Sequence, residues 1–404
     1  MSNKIIKRDY YLNKLITNKD RDRVKVVTGV RRSGKSFLLF NLYYKYLLKS
    51  GIDSKHIIKI DLETQKNKPL RDSQKLYDYI LGKKTDKKRH YVFIDEIQLV
   101  DEFEDLVNGL RVDENCDVYI TGSNSSMLSK DINTKFRGRN VEIKVYPLSF
   151  KEYYSFVKGD KYKAFNDYLV YGGLPYLNDL NTITEKSDYL KTICSTLLIR
   201  DIIDRYKIRN ENIFEAVLDF LCSNIGSYVS ANKIANTLKS NGYKSITDDT
   251  VGNYLNYICD AFLFYKAQRY DIKGKAYLKT LNKYYVTDLG IRNSRLNFRQ
   301  LEITHTIENL VYLELLRRGY IVDIGKNINK EIDFIARSNS ELTYIQVAYS
   351  VAEPQKLKQE TESFKGLDDG YRKILITMDN DPYNLLENGY QKINLIDFLL
   401  QDSF

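Results

Sequence analysis

Gly29-Val30-Arg31-Arg32-Ser33-Gly34-Lys35-Ser36 is the stretch on which the reading of this chain turns. It follows the pattern G-x-x-x-x-G-K-[ST], a loop that cradles phosphate groups. The residues on either side supply the context that pattern requires. Val24-Lys25-Val26-Val27-Thr28 before it is a short β-branched run that reads as a buried strand. The apolar-rich run from Phe37 to Leu48 after it reads as a helix ending near Gly51. In such a strand–loop–helix, glycine lets backbone N–H groups curl around phosphate oxygens, and the helix N-terminus adds partial positive charge. Lys35 is then expected to reach the β- and γ-phosphates, and the Ser36 hydroxyl to bind Mg²⁺.

A second signature follows at His90-Tyr91-Val92-Phe93-Ile94-Asp95-Glu96-Ile97-Gln98. An apolar run ending in two acids describes a buried strand that carries carboxylates to the edge of an α/β sheet, where such sheets bind ligands. Asp95 is expected to hold Mg²⁺, directly or through its water, and Glu96 to polarise the attacking water. A third strand, 117–121, ends at Gly122-Ser123-Asn124-Ser125. Ser123 and Asn124 are both candidates to orient that water, and a plain helix N-cap is the competing reading. In Phe136-Arg137-Gly138-Arg139-Asn140, either Arg137 or Arg139 is a candidate to stabilise charge on the transferred phosphoryl group; a surface ion pair is the alternative.

Together these elements, with Tyr146-Pro147-Leu148-Ser149-Phe150 and Gly172-Gly173-Leu174-Pro175, resemble the P-loop ATPases of the AAA+ superfamily. More narrowly, the chain is similar to bacterial and archaeal ATPases in which an AAA domain precedes a DUF4143-like domain. The resemblance implies a five-stranded parallel sheet, ATP and Mg²⁺ as cofactors, Ser123 or Asn124 as sensor, Arg137 or Arg139 as finger, and a helical lid after the first domain. A finger acting between neighbours would require a homo-oligomer.

Length and charge set the outer bounds. The 404 residues are enough for two or three cores. The net charge of +10 is compatible with nucleotide or nucleic-acid partners, although it is spread along a lysine-rich chain. The start, Met1-Ser2-Asn3-Lys4-Ile5-Ile6-Lys7-Arg8, has no apolar leader, and no run reaches membrane-spanning length. Cys116, Cys194, Cys222 and Cys259 lack paired spacing and read as free thiols, so the expected location is cytoplasmic.

The expected organisation is an α/β P-loop domain over 1–150, a helical lid over 151–210, a winged-helix-like domain over 211–290 and a C-terminal α/β domain over 301–404. In the third span, two capped helices precede a hairpin that turns at Lys273-Gly274-Lys275. The second helix opens with Asp248 and Asp249, which argues against phosphate contact. The hairpin carries Lys266, Arg269, Lys273, Lys275, Lys279 and Lys283, which leaves DNA as a candidate partner. The last span resembles the PD-(D/E)xK nuclease fold, with Glu308 on a helix and Asp333 and Gln346 on strands. Ala348 stands where that fold places its water-activating lysine, and Lys330 is next to the acidic strand. A degenerate restriction-endonuclease-like scaffold is the favoured reading and a working nuclease the alternative.

Overall fold

The computed structural model describes residues 5–112, 114–125, 135–136, 138–243, 245–299, 302–338, 341–380, 385–386 and 388–402. Two compact units emerge. The first comprises residues 1–147 with 260–262, and the second comprises 148–259 and 263–404.

The first unit is built on β1 (Val24–Thr28), β2 (Ile57–Asp61), β3 (His90–Asp95), β4 (Cys116–Gly122) and β5 (Asn140–Lys144). They form one sheet in the order β2-β3-β4-β1-β5, and every pairing is parallel. Helices cover both faces of such a sheet, so its inner strands read as unbroken apolar runs. Val24, Val26, Ile58, Ile60, Val92, Ile94, Val118 and Ile120 point to one face and pack on Leu76, Ile80, Leu106 and Leu110. This alternation is the period of two expected for strands.

The opposite face holds a buried ion pair. Lys25 (0% exposed) bonds the carboxylate of Asp117 (1% exposed), and the Tyr119 hydroxyl donates to the same carboxylate at 2.8 Å. The Tyr43 and Tyr119 hydroxyls share a further hydrogen bond of 2.6 Å. Burial pulls the Lys25 ammonium below its ordinary pKa, and Asp117 opposes that shift. Asp117→Ala should therefore cost about 3–5 kcal/mol by leaving the lysine buried without its counter-ion. Urea unfolding checks this, and the double change Lys25→Met with Asp117→Leu should recover most of the loss.

The helix after the phosphate loop is less regular than its sequence suggests. Lys35–Phe37 and Tyr44–Lys49 are α-helical, and the turns at Leu38–Tyr43 between them widen to π geometry. Such wide turns occur mostly as local bulges near functional sites.

The second unit begins with Phe150–Val157, started by a capping box in which Ser149 and Glu152 exchange hydrogen bonds. Lys161–Tyr171 follows and ends at Gly172, whose φ of +74° favours glycine. A methyl group there would meet the Asp288 carboxylate, which accepts from the N–H groups of Gly173 and Gly290. The long helix expected over 183–203 is present as Ile183–Thr192, a π segment Ile193–Ile199 and Arg200–Tyr206.

Glu211–Ser223, β6 (Tyr228–Val229), Ala231–Ser240 and Asp248–Asp260 come next, followed by the hairpin β7 (Phe264–Asp271) and β8 (Ala276–Val286). Helix Ile303–Arg317 leads to β9 (Ile321–Asn327), β10 (Lys330–Ser338), β11 (Glu341–Val347), β12 (Arg372–Thr377) and β13 (Gln391–Asn394). All eight strands share one mixed sheet, in the order β13-β12-β11-β10-β9-β7-β8-β6. The hairpin joins the later strands through the parallel pairing of Arg269, Tyr270 and Asp271 with Ile324, Gly325 and Lys326. The three spans expected after residue 150 therefore lie in one unit, and a single ladder of hydrogen bonds runs through the last two.

Among the described residues, no helix is long and apolar enough to cross a membrane. The four cysteines are free thiols, with Cys116, Cys194 and Cys222 buried.

Candidate active site

The phosphate loop leaves β1 at the carboxyl edge of the first sheet. Its backbone bends through Gly29 (φ +140°), Arg32 (φ +67°) and Gly34 (φ +95°). Gly29 admits no side chain, because a Cβ there would stand 2.1 Å from the carbonyl oxygen of Val145. Gly29, Val30 and Ser33 are buried, Gly34 is half-buried, and the Arg32 side chain is exposed. Arg31 pairs with Glu63 at 2.9 Å.

Lys35 is 5% exposed, and its Nζ donates to the carbonyls of Gly29 (2.9 Å) and Val30 (3.1 Å). Burial lowers its pKa, while Glu96 and Asp95 act against that shift. The ammonium thus lies folded back across the loop it would leave to meet a phosphate.

Two neighbouring strands bring the acids to the same edge. Asp95 ends β3; its Oδ2 accepts from the Ser36 hydroxyl at 2.7 Å and its Oδ1 from the Thr121 hydroxyl of β4. Burial raises the Asp95 pKa; the two hydroxyl bonds oppose that, and the charge of Glu96 adds to it. Glu96 stands just beyond the strand with φ +54°, a left-handed backbone unusual for this residue type. Its N–H donates to Thr121 Oγ1 at 3.0 Å, which secures the bend. Its carboxylate accepts from Ser123 Oγ at 3.3 Å and from the Gln98 amide. Strained residues held by their surroundings concentrate at active sites.

The structure thus brings Lys35, Ser36, Asp95, Glu96 and Ser123 together, with Asn124 buried at the following position. Oxygen donors from Ser36 and Asp95, 2.7 Å apart beside a lysine, suit a hard cation such as Mg²⁺.

Arg139 does not join this cluster. It precedes β5, its carbonyl accepts from the Val24 N–H, and its half-exposed side chain pairs with Asp22 at 3.3 Å. That is the amino edge of the sheet, roughly 16 Å from the loop at strand spacing. Its charge cannot reach the phosphate loop of its own chain. Arg137 lies outside the described residues.

Three contributors carried no role in the sequence reading. Thr121 ends an apolar strand and Gln98 lies two residues past Glu96, so both were near a motif without belonging to it. Arg8 had no local signal, because its partners are 25 and 138 positions away: it donates to the carbonyls of Ser33 (3.0 Å) and Tyr146 (2.6 Å). Each bond from a charged donor contributes about 1.5–3 kcal/mol. Arg8→Ala should loosen the loop and weaken nucleotide affinity by roughly tenfold or more, read by titration of a fluorescent ATP analogue.

The acids expected in the C-terminal span meet a different partner. Lys283 of β8 is buried between Glu308 (2.8 Å) and Glu331 (2.7 Å), so it is withdrawn from the basic face expected of the hairpin. The Tyr285 hydroxyl also donates to Glu308 at 2.6 Å. Asp333 accepts from the Val347 N–H at 2.8 Å, and burial together with the charge of Glu308 pushes its pKa well up. Gln346 donates to Glu360, Lys330 pairs outward with Glu362, and Ala348 packs in an apolar cluster with Val351 and Leu375.

Fold and loop together define a P-loop ATPase of the AAA type, and comparison with known proteins agrees. Residues 21–154 match the family described as AAA domain, and residues 162–302 match a domain of unknown function, DUF8612, where the sequence had suggested a DUF4143-like domain. An uncharacterized protein of Haemophilus influenzae is 40% identical over 99% of this chain and 100% of its own length. An uncharacterized protein of Methanocaldococcus jannaschii is 32% identical over 98% of this chain and 88% of its own. This chain belongs to their family, and its own residues 21–154 carry the AAA-domain match. Among solved structures, a Walker-type ATPase of Pyrococcus abyssi matches with a TM-score of 0.52 at 14% identity, covering 72% of this chain and 96% of that one. At that identity the likeness speaks to the fold alone.

Proposed function

We propose that this protein hydrolyses ATP with Mg²⁺ and uses the nucleotide state to change the conformation of the region after residue 148. The carrying observation is the contact set Ser36–Asp95–Thr121–Glu96 beside Lys35 at the carboxyl edge of a parallel sheet. Phosphoryl transfer to water needs little covalent chemistry, so positioning and charge supply most of the acceleration. Backbone N–H groups of residues 29–36 hold the phosphates, and Lys35 turns from the Gly29 and Val30 carbonyls to the β- and γ-phosphates. Ser36 and Asp95 hold Mg²⁺, which when bound neutralises charge on the phosphate oxygens. Glu96 polarises the attacking water. Ser123 and Gln98 hold the Glu96 carboxylate in place, and Asn124 is the alternative sensor. Arg139, facing away from its own loop, is available only to the site of a neighbouring copy.

A winged helix formed by residues 211–290, docking DNA or protein in a low-turnover switch, is the second reading. The exposed side chains of Lys266, Lys273 and Lys275 favour it, and the acidic start of helix Asp248–Asp260 weighs against it. For the C-terminal domain we favour a scaffold without nuclease activity, because Lys283 already satisfies Glu308 and the position of Ala348 offers no base. The test is steady-state phosphate release from ATP with Mg²⁺, with and without duplex DNA. Turnover supports the ATPase reading, and stimulation by DNA that fades with added salt supports the winged helix.

A further inference from the structure

The chain has only 3 histidines, and two of them meet at the amino edge of the first sheet, away from the phosphate loop. His90 opens β3, and His56 lies immediately before β2. These strands run parallel with Ile57 opposite Tyr91, so His56 and His90 sit side by side in the same register. Their side chains therefore project to one face of the sheet. Both are buried, and the rings lie 5.0 Å apart, nearly edge to face.

The turn at residues 84–89 folds back and delivers a carboxylate. Asp86 Oδ2 lies 2.9 Å from His56 Nε2. One ligand atom from each of His56, Asp86 and His90 falls within 4.8 Å of the other two. His90 Nδ1 lies 2.8 Å from the Lys88 carbonyl, which can only accept, so the ring proton belongs on Nδ1. Its Nε2 lone pair is left with a long 3.3 Å bond from the Thr85 N–H. A backbone carbonyl on the far ring nitrogen is how metal-bound histidines are usually oriented.

We propose that His56, Asp86 and His90 bind a divalent transition ion of the zinc class, at a site separate from the nucleotide and its Mg²⁺. Two imidazoles and one carboxylate suit zinc or cobalt, whereas magnesium prefers an oxygen shell. Three protein ligands leave one position for water. The turn carries four cations: Lys84 is answered by Glu114 at 2.7 Å and Arg89 by Asp20 at 3.6 Å, while Lys87 and Lys88 are exposed, where solvent and salt screen their charge. Cys116 opens β4 opposite His90, but its thiol is turned to the Glu114 carbonyl, and it is not counted as a ligand. A bound ion would staple residues 84–89 to the ends of two strands, and binding to the native state alone raises stability.

The experiment uses the untagged full chain, stripped with chelator and free of nucleotide. It is titrated with Zn²⁺ by calorimetry and with Co²⁺ by visible absorption. One Co²⁺ per chain should bind with the intense bands of a low-coordinate site, be displaced by Zn²⁺, and raise the melting temperature. His56→Gln and Asp86→Asn should each weaken binding by more than about 10- to 100-fold, the loss that follows removal of even an outer-shell partner, with Mg²⁺-dependent ATP binding unchanged. No saturable Zn²⁺ binding, or binding unaltered in both variants, overturns the proposal. So does binding that disappears with Ser36→Ala instead, which would place the ion in the nucleotide site.

Discussion

Glu96→Gln should bind ATP as tightly as the parent protein and hydrolyse it about 10²- to 10⁴-fold more slowly, the range spanned by loss of a positioned general base. The substitution keeps the shape of the side chain, and its carbonyl oxygen can still accept from Ser123 and Gln98. The left-handed turn at Glu96 should survive as well, because it is secured by the main-chain bond to Thr121 rather than by the carboxylate. The change therefore separates binding from chemistry. Nucleotide titration together with single-turnover phosphate release reads both. A fall in affinity equal to the fall in rate would mean that Glu96 acts on the ground state, not on water.

Lys35→Met should act at the earlier step and weaken ATP binding by about 100-fold or more. Charge-assisted contacts contribute about 1.5–3 kcal/mol each, and the ammonium is expected to make two, one to each of two phosphates. The methionine preserves most of the buried volume around the loop. Its cost to the fold should be small beside the cost to binding, although the Gly29 and Val30 carbonyls lose their donor. Isothermal titration with ATP and Mg²⁺ gives the affinity, and thermal melting without nucleotide gives the cost to the fold. Undiminished ATP affinity in a folded Lys35→Met protein would remove the phosphate role from this lysine.

The first sheet was largely legible because its information is local. Each parallel strand is an apolar run, and the loop, Asp95 and Glu96 sit at fixed offsets from strand ends. Contacts made across long separations were not legible. Arg8 reaches Ser33 and Tyr146, and Lys283 reaches Glu308 and Glu331, by pairings that no window of sequence contains. Lys283 shows the physical reason. A lysine on a hairpin reads as surface charge until the register of β8 turns it inward against acids from helix Ile303–Arg317 and β10. Arg139 shows the same limit in direction: an arginine beside a strand is a candidate finger until the strand's polarity places it at the amino edge. The His56, Asp86 and His90 cluster was invisible for a related reason, since the two rings meet only once β2 and β3 are in register and the turn at 84–89 folds Asp86 back onto His56.

Hydrolysis of ATP is the role proposed for the contact set at the carboxyl edge. Phosphate release from ATP and Mg²⁺, measured side by side on the parent chain and Glu96→Gln at matched nucleotide occupancy, decides this. Sustained turnover is expected of the parent chain, with bound but uncleaved ATP in the variant. If the parent chain holds ATP and releases no phosphate, with or without duplex DNA, the ATPase reading fails and the protein is a nucleotide-loaded switch.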